Sequence, residues 1–143
     1  IFYPFSNKYH EGFIGHSIFG SFTNIGALTT NSDLKNTYGN ITIFLNGERV
    51  ETGLMKMGTL CGDHSKLGIG CFINTGTVIG FSCNLFGGGF FKKEYPSFYW
   101  GRADKGTKYR LDKAMETAEL VMARRDIKFD DKTKKTFENI FNT

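Results

Sequence analysis

The chain of 143 residues is poor in proline, with two, in cysteine, with three, and in histidine, with three. No segment approaches the roughly 20 apolar residues of a membrane span, and no charged, apolar, small-residue leader opens the chain, so neither a membrane protein nor a signal peptide is expected. Cys61, Cys71 and Cys83 are odd in number and lack a CxxC spacing, which argues against a disulfide framework and a zinc knuckle. Buried thiols in a reduced, cytoplasmic protein are expected instead. Charge of one sign is not gathered anywhere: the net charge is +4, with cations dispersed until the tail, so the basic stripe of a nucleic-acid binder is missing. A phosphate-bearing small molecule suits that modest excess. The apolar share of 40% excludes an intrinsically disordered chain. Glycine is what abounds: 18 residues without a collagen period predict many tight corners.

A six-residue rhythm organises those glycines. Every sixth position from Cys61 is apolar: Cys61, Leu67, Ile73, Ile79 and Leu85. The next residue is glycine in three cases (Gly62, Gly68 and Gly80), and the position three beyond is His64, Gly70, Gly76, Ser82 or Gly88. That period fits neither an α-helix nor a long alternating strand; it fits a short strand plus a corner, repeated. Three such faces close a prism whose apolar stripe is buried only when successive coils stack, so the fold class is mainly β, a parallel β-helix. Ile14-Gly15, Phe19-Gly20 and Ile25-Gly26 repeat the pattern with one irregular corner.

Between these runs, Ile41–Leu45 and Glu48–Glu51 flank Asn46-Gly47, the strongest short hairpin signal, so a hairpin insertion over about 40–52 is expected to interrupt the prism. After Gly101, the spacing of Leu111, Ala114, Met115, Ala118, Val121 and Met122 predicts an amphipathic α-helix. Asp130 predicts the N-cap of a second, with Phe137, Ile140 and Phe141 on its apolar side. The division is then a β-helix domain over 1–103 and a helical cap over 104–143, set on the open end of the prism or against a neighbouring subunit.

Two stretches resemble a known family. Gly15-His16-Ser17 through Asn24-Ile25-Gly26-Ala27 to Asn31-Ser32-Asp33-Leu34-Lys35 is similar to the acetyltransferase half of bifunctional UDP-N-acetylglucosamine pyrophosphorylase/glucosamine-1-phosphate N-acetyltransferases. Gly62-Asp63-His64-Ser65-Lys66, Phe72-Ile73-Asn74-Thr75-Gly76-Thr77-Val78 and Pro96–Gly101 resemble the divergent Bacteroidetes-type branch of that family. The resemblance covers most of residues 8–125 and implies left-handed coils, a homotrimer, and an N-terminal nucleotidyltransferase domain before Ile1, so the chain is read as a fragment. It implies acetyl-CoA as co-substrate and the amine of a hexosamine 1-phosphate as acceptor, with no metal for the transfer.

In that resemblance His16 is the general base, a role suited to the one side chain whose ordinary pKa lets it take an ammonium proton near neutrality. Asn24, Asn31 and Lys35 match the substrate-binding residues, the lysine facing the sugar phosphate. His64 is an alternative base, and His10 ranks below both. Lys92 and Lys93, after Gly87-Gly88-Gly89, are the candidates for contact with CoA. Ile18 or Phe19, and Ser32, stand where the family carries two substrate-contacting tyrosines, which leaves the acceptor sugar open. The rival reading is a silent β-helix that assembles or regulates a nucleotidyltransferase.

Overall fold

The computed structural model describes residues 1–143. A six-residue step leaves room for only two or three extended residues between corners, and the strands have that length. In chain order they are β1 (Ile18–Phe19), β2 (Asn24–Ile25), β3 (Thr30–Asn31), β4 (Thr42–Leu45), β5 (Glu48–Glu51), β6 (Leu60–Cys61) and β7 (Lys66–Leu67). There follow β8 (Cys71–Ile73), β9 (Val78–Ile79), β10 (Asn84–Leu85), β11 (Gly89–Phe90), β12 (Glu94–Tyr95), β13 (Tyr99–Gly101) and β14 (Gly106–Lys108). Two helices, α1 (Leu111–Ala123) and α2 (Asp131–Asn142), end the chain. Neither is long and apolar enough to cross a membrane.

Outside the β4–β5 hairpin, successive strands fall in turn into three sheets. The first is β1-β6-β9-β12, the second β2-β7-β10-β13 with β14 at its edge, and the third β3-β8-β11. All pairings are parallel except those of β14 and of the hairpin, an arrangement compatible with a parallel β-helix. Cys61 lies under Ile79 and Leu67 under Leu85, eighteen residues on, which is three hexapeptides per coil. Phe19 pairs with Cys61 across 42 residues rather than 18, so 24 residues are extruded there, and they carry the predicted hairpin. The five expected interior residues are 0–6% exposed, within one cluster that also holds Phe19, Ile25, Cys71, Cys83, Phe91 and Tyr95.

The two glycine registers have different causes. Gly70 (φ 66°) and Gly76 (φ 62°) turn corners in the left-handed region, as do His16, Phe22, Leu28, His64, Ser82 and Phe98 at the equivalent positions. Gly62 instead permits close stacking: a Cβ there would lie 2.8 Å from the Gly80 carbonyl carbon of the next coil. A second buried register, not anticipated from sequence, holds Ser17, Thr23, Thr29, Thr59, Ser65, Cys71, Thr77 and Cys83. Some of its hydroxyls tie coils together at the corners, while those of Thr23 and Thr59 are buried without a partner. Thr29 Oγ1 donates to Gly68 O (2.8 Å), and Ser65 Oγ makes the same bond one coil later to Gly80 O (2.8 Å), while accepting from Cys83 N (3.0 Å).

A further coil precedes the first predicted one. Phe2 bridges to Phe19 and Asn7 to Asn24, and Asn31 N donates to Phe13 O (2.9 Å). Here Ile14, not Phe13, packs on the core, which is the irregular corner seen in the spacing. The hairpin turns at Asn46 (φ 53°) and Gly47 (φ 80°) as predicted, and Gly47 N donates to the Glu94 carboxylate (3.1 and 3.2 Å), pinning the arm to the first sheet.

The helices occupy the flank of the column, not its open end. Asp130 caps α2 by accepting from Thr133 N (2.8 Å). Phe137, fully buried, then meets His64, Phe81 and Phe98 edge-on at 5.0, 4.7 and 6.1 Å between ring centres. The reason is aromatic: the corner between the first and second sheets carries Phe5, Phe22 and His64 one above another, and past Ser82 it carries Phe98, with Phe81 meeting both His64 and Phe98, an apolar ridge that needs a cover.

Candidate functional site

His16 sits at the corner between the third and first sheets, in a left-handed conformation (φ 48°) that turns its imidazole outward; the side chain is 52% exposed. Its backbone is clamped from three sides. Asn31 accepts from Gly15 N (2.8 Å) and donates to Gly15 O (3.0 Å), Gly58 N donates to His16 O (2.8 Å), and Thr59 N donates to Ser17 Oγ (2.8 Å). Gly58 is required, since a Cβ would lie 2.2 Å from Gly15 O.

The imidazole has one partner. Its Nδ1 is 2.6 Å from an oxygen of Asp33, a carboxylate only 19% exposed. A carboxylate only accepts, so Nδ1 carries the proton, and Nε2 is left as the basic nitrogen. Asp33 was not among the residues singled out from sequence. The signal was its distance from His16: 17 residues is one coil, which places both on the same corner.

The other expected residues divide into two groups. Asn31 is 3% exposed, its amide engaged with Gly15 and Ser32, so it shapes the turn under His16 and presents nothing outward. Lys35 donates to Asn40 O, while Lys93 donates to Thr75 O and to Thr75 Oγ1 (3.2 Å). Burial, then the nearby Lys35 charge, holds the Lys93 ammonium below the usual lysine range. Lys93 precedes β12 on the corner between the third and first sheets, and the charge of Lys35 reaches it there. Lys92 points elsewhere, to Asp104 O (3.1 Å).

Asn24 and His64 are not brought to this corner. Asn24 faces out from the second sheet, between Asn7 and Lys66 in register. His64 lies in the aromatic ridge, stacked on Phe22 at 4.9 Å with Nδ1 buried and unpartnered. Burial, with Lys66 adding to it, pushes the His64 imidazole down to about 4, which leaves it neutral but walled in by rings. His10 lines a hollow with Leu28 at the corner between the second and third sheets. No group of three or more His, Cys, Asp or Glu is placed to hold a metal ion. No protein-family model matches the chain, and no curated protein matches it.

Proposed function

We propose that the chain is an N-acetyltransferase of the hexapeptide-repeat type, moving an acetyl group from acetyl-CoA to the amine of a hexosamine 1-phosphate. The carrying observation is the half-exposed imidazole of His16 oriented by the largely sheltered Asp33 carboxylate. In the step, His16 Nε2 takes the proton of the sugar ammonium, and the freed amine attacks the thioester carbonyl. The carbon–sulfur bond breaks, the thiolate leaves and is protonated to CoA, and an amide forms. Asp33 holds the imidazole in the tautomer that leaves Nε2 basic and stabilises the imidazolium. Lys93, with the charge of Lys35 acting on it, supplies positive charge for a sugar phosphate, an anion that relieves their repulsion.

The same reading takes the coils as left-handed and the protein as a cytoplasmic trimer attached to a sugar nucleotidyltransferase domain. Residues in the left-handed region recur in every coil at the corner between the first and second sheets, at Phe5, Phe22, His64, Ser82 and Phe98, which supports a single regular winding. The test is thiol release from acetyl-CoA with glucosamine 1-phosphate. His16→Ala lowers the rate by about 10²- to 10⁴-fold, Asp33→Asn by about 10- to 100-fold, and His64→Phe leaves it within about two-fold. No release by the wild type with any amino sugar refutes the enzyme; retained activity in His16→Ala refutes the base.

A silent assembly module is the second reading. It is favoured by the outward face of the third sheet, where the rings of Phe72 and Phe90 lie tilted to one another, 5.3 Å between centres, with Phe90 78% exposed. Light scattering on Phe72→Ser/Phe90→Ser separates the two, since a module predicts loss of assembly in a chain that never released thiol.

A further inference from the structure

The flank opposite the His16 corner holds a different kind of hollow. Between the C-terminal end of α1 and the first coils of the second sheet lies a cavity of about 380 Å³. Arg124 and Arg125 form one wall and Lys66 lies on the other, with no acidic residue lining the space. None of the three belongs to any of the five ion pairs of the molecule. Arginines at a helix C-terminus are ordinary by themselves, because they complement the dipole. The convergence of a third cation from a separate element is not explained that way, since like charges gathered without a counter-ion repel. Lys66 Nζ donates to Phe22 O (2.7 Å) and His64 O (2.9 Å), so one of its three N–H groups is uncommitted. Burial pushes that ammonium down to about 8, a strain that a bound anion would relieve.

The remaining lining sorts the anion. Asn7 and Asn24 pair in register on the outer face of the second sheet, and the side-chain amide of neither has a partner within the protein. Two outward amides can use only their donors on a bare phosphate, whereas donor and acceptor together read the edge of a heterocycle. Phe5 and Phe22, stacked at 4.9 Å, supply an aromatic wall beside them. The volume is at the small end of ligand cavities.

We infer that this cavity is a binding site for a nucleoside phosphate, the phosphate on Arg124, Arg125 and Lys66 and the base between the Phe5–Phe22 wall and the amides of Asn7 and Asn24. The site stands apart from the His16 corner and does not depend on acetyl transfer. Its ligand is either a free nucleotide or the adenosine end of a larger cofactor, which share this chemistry.

Titration calorimetry of the whole chain with ADP, CoA and inorganic phosphate tests it at low and high salt. ADP binds, weakens as salt rises, and binds at least ten-fold more tightly than inorganic phosphate. Arg124→Ser/Arg125→Ser, both on the exposed helix end, weakens ADP by ten-fold or more with an unchanged melting temperature, and Asn24→Ala weakens ADP but not inorganic phosphate. Competition by CoA assigns the site to a cofactor's nucleotide end, and its absence to a free nucleotide; either supports the site. No ADP binding by the wild type, equal binding by the double variant, or inorganic phosphate binding as tightly as ADP overturns it.

Discussion

His64 illustrates how one position of a repeat is used twice. Its corner requires positive φ (61°), and the equivalent corners accommodate Phe5, Phe22 and Phe98 in the same conformation. The imidazole therefore stands in an aromatic row with a buried nitrogen that has no partner, a defect worth about 1–3 kcal/mol. Its folded pKa of about 4 lies below the ordinary histidine value, so the unfolded chain takes up the proton first. Stability is then lost as pH falls from about 6.5 toward 4 and is fully present above that window, with a total loss of about 3 kcal/mol at most. His64→Phe is expected to flatten this slope and to leave stability at pH 7 equal or higher, read by urea denaturation at pH 7.5 and 4.5. An unchanged slope would place the titration elsewhere. The glycines give a second contrast. Gly70→Ala meets nothing within 4 Å and bears only its positive φ, costing about 1 kcal/mol. Gly62→Ala drives a methyl into the Gly80 backbone and is expected to cost about 2 kcal/mol or more, so its melting point falls further.

Helix α2 is held chiefly by one ring, with Phe141 against Phe98 (5.0 Å) and Lys108 Nζ donating to Phe141 O (2.9 Å) securing its last turn. Its N-cap is exposed, and Phe137 is its only fully buried side chain, set among His64, Phe81, Phe98 and Phe129. Phe137→Ala is expected to cost about 3–5 kcal/mol locally, releasing the helix while the column stays folded, because the interior cluster of the coils does not include it. Hydrogen exchange should then rise across 131–142 and at Phe81 and Phe98 but not at Leu67 or Ile79. Equal loss of protection throughout would mean that the strap and the column fold as one unit. The β4–β5 arm is tied differently, by Ile41 and Ile43 buried against the Gly76 corner and by its turn on Glu94, so the arm stays beside the His16 edge as a preformed wall.

The molecule as a whole is a stack in which each coil is stabilised by the coils above and below. Its three thiols report on that stack. Cys61, Cys71 and Cys83 are buried on interior registers, and burial raises all three, Cys83 to about 11 and Cys61 further. A thiolate-directed reagent at pH 8 is expected to leave them unmodified in the native protein, with labelling that tracks unfolding in denaturant. Fast labelling of one thiol under native conditions would identify a coil that opens alone. The placement of two ligand-sized features on separate flanks, the His16 corner and the α1 cavity, follows from the three-sided column, which separates residues only eight apart, such as His16 and Asn24, onto different faces.

The six-residue spacing of Cys61, Leu67, Ile73, Ile79 and Leu85 was enough to give the coils, and Asn46-Gly47 and Asp130 gave the hairpin and the second helix, because each rests on local geometry that a few neighbouring residues impose. The pairing of His16 with Asp33, the reach of the Lys35 charge to Lys93, the retreat of His64 into an aromatic ridge and the docking of the helices along the flank came from packing. Those contacts join residues from different coils or elements, and whether they meet depends on how many residues the insertion removes from the winding and on which ridge remains to be covered. Neither quantity is written in any short stretch of chain.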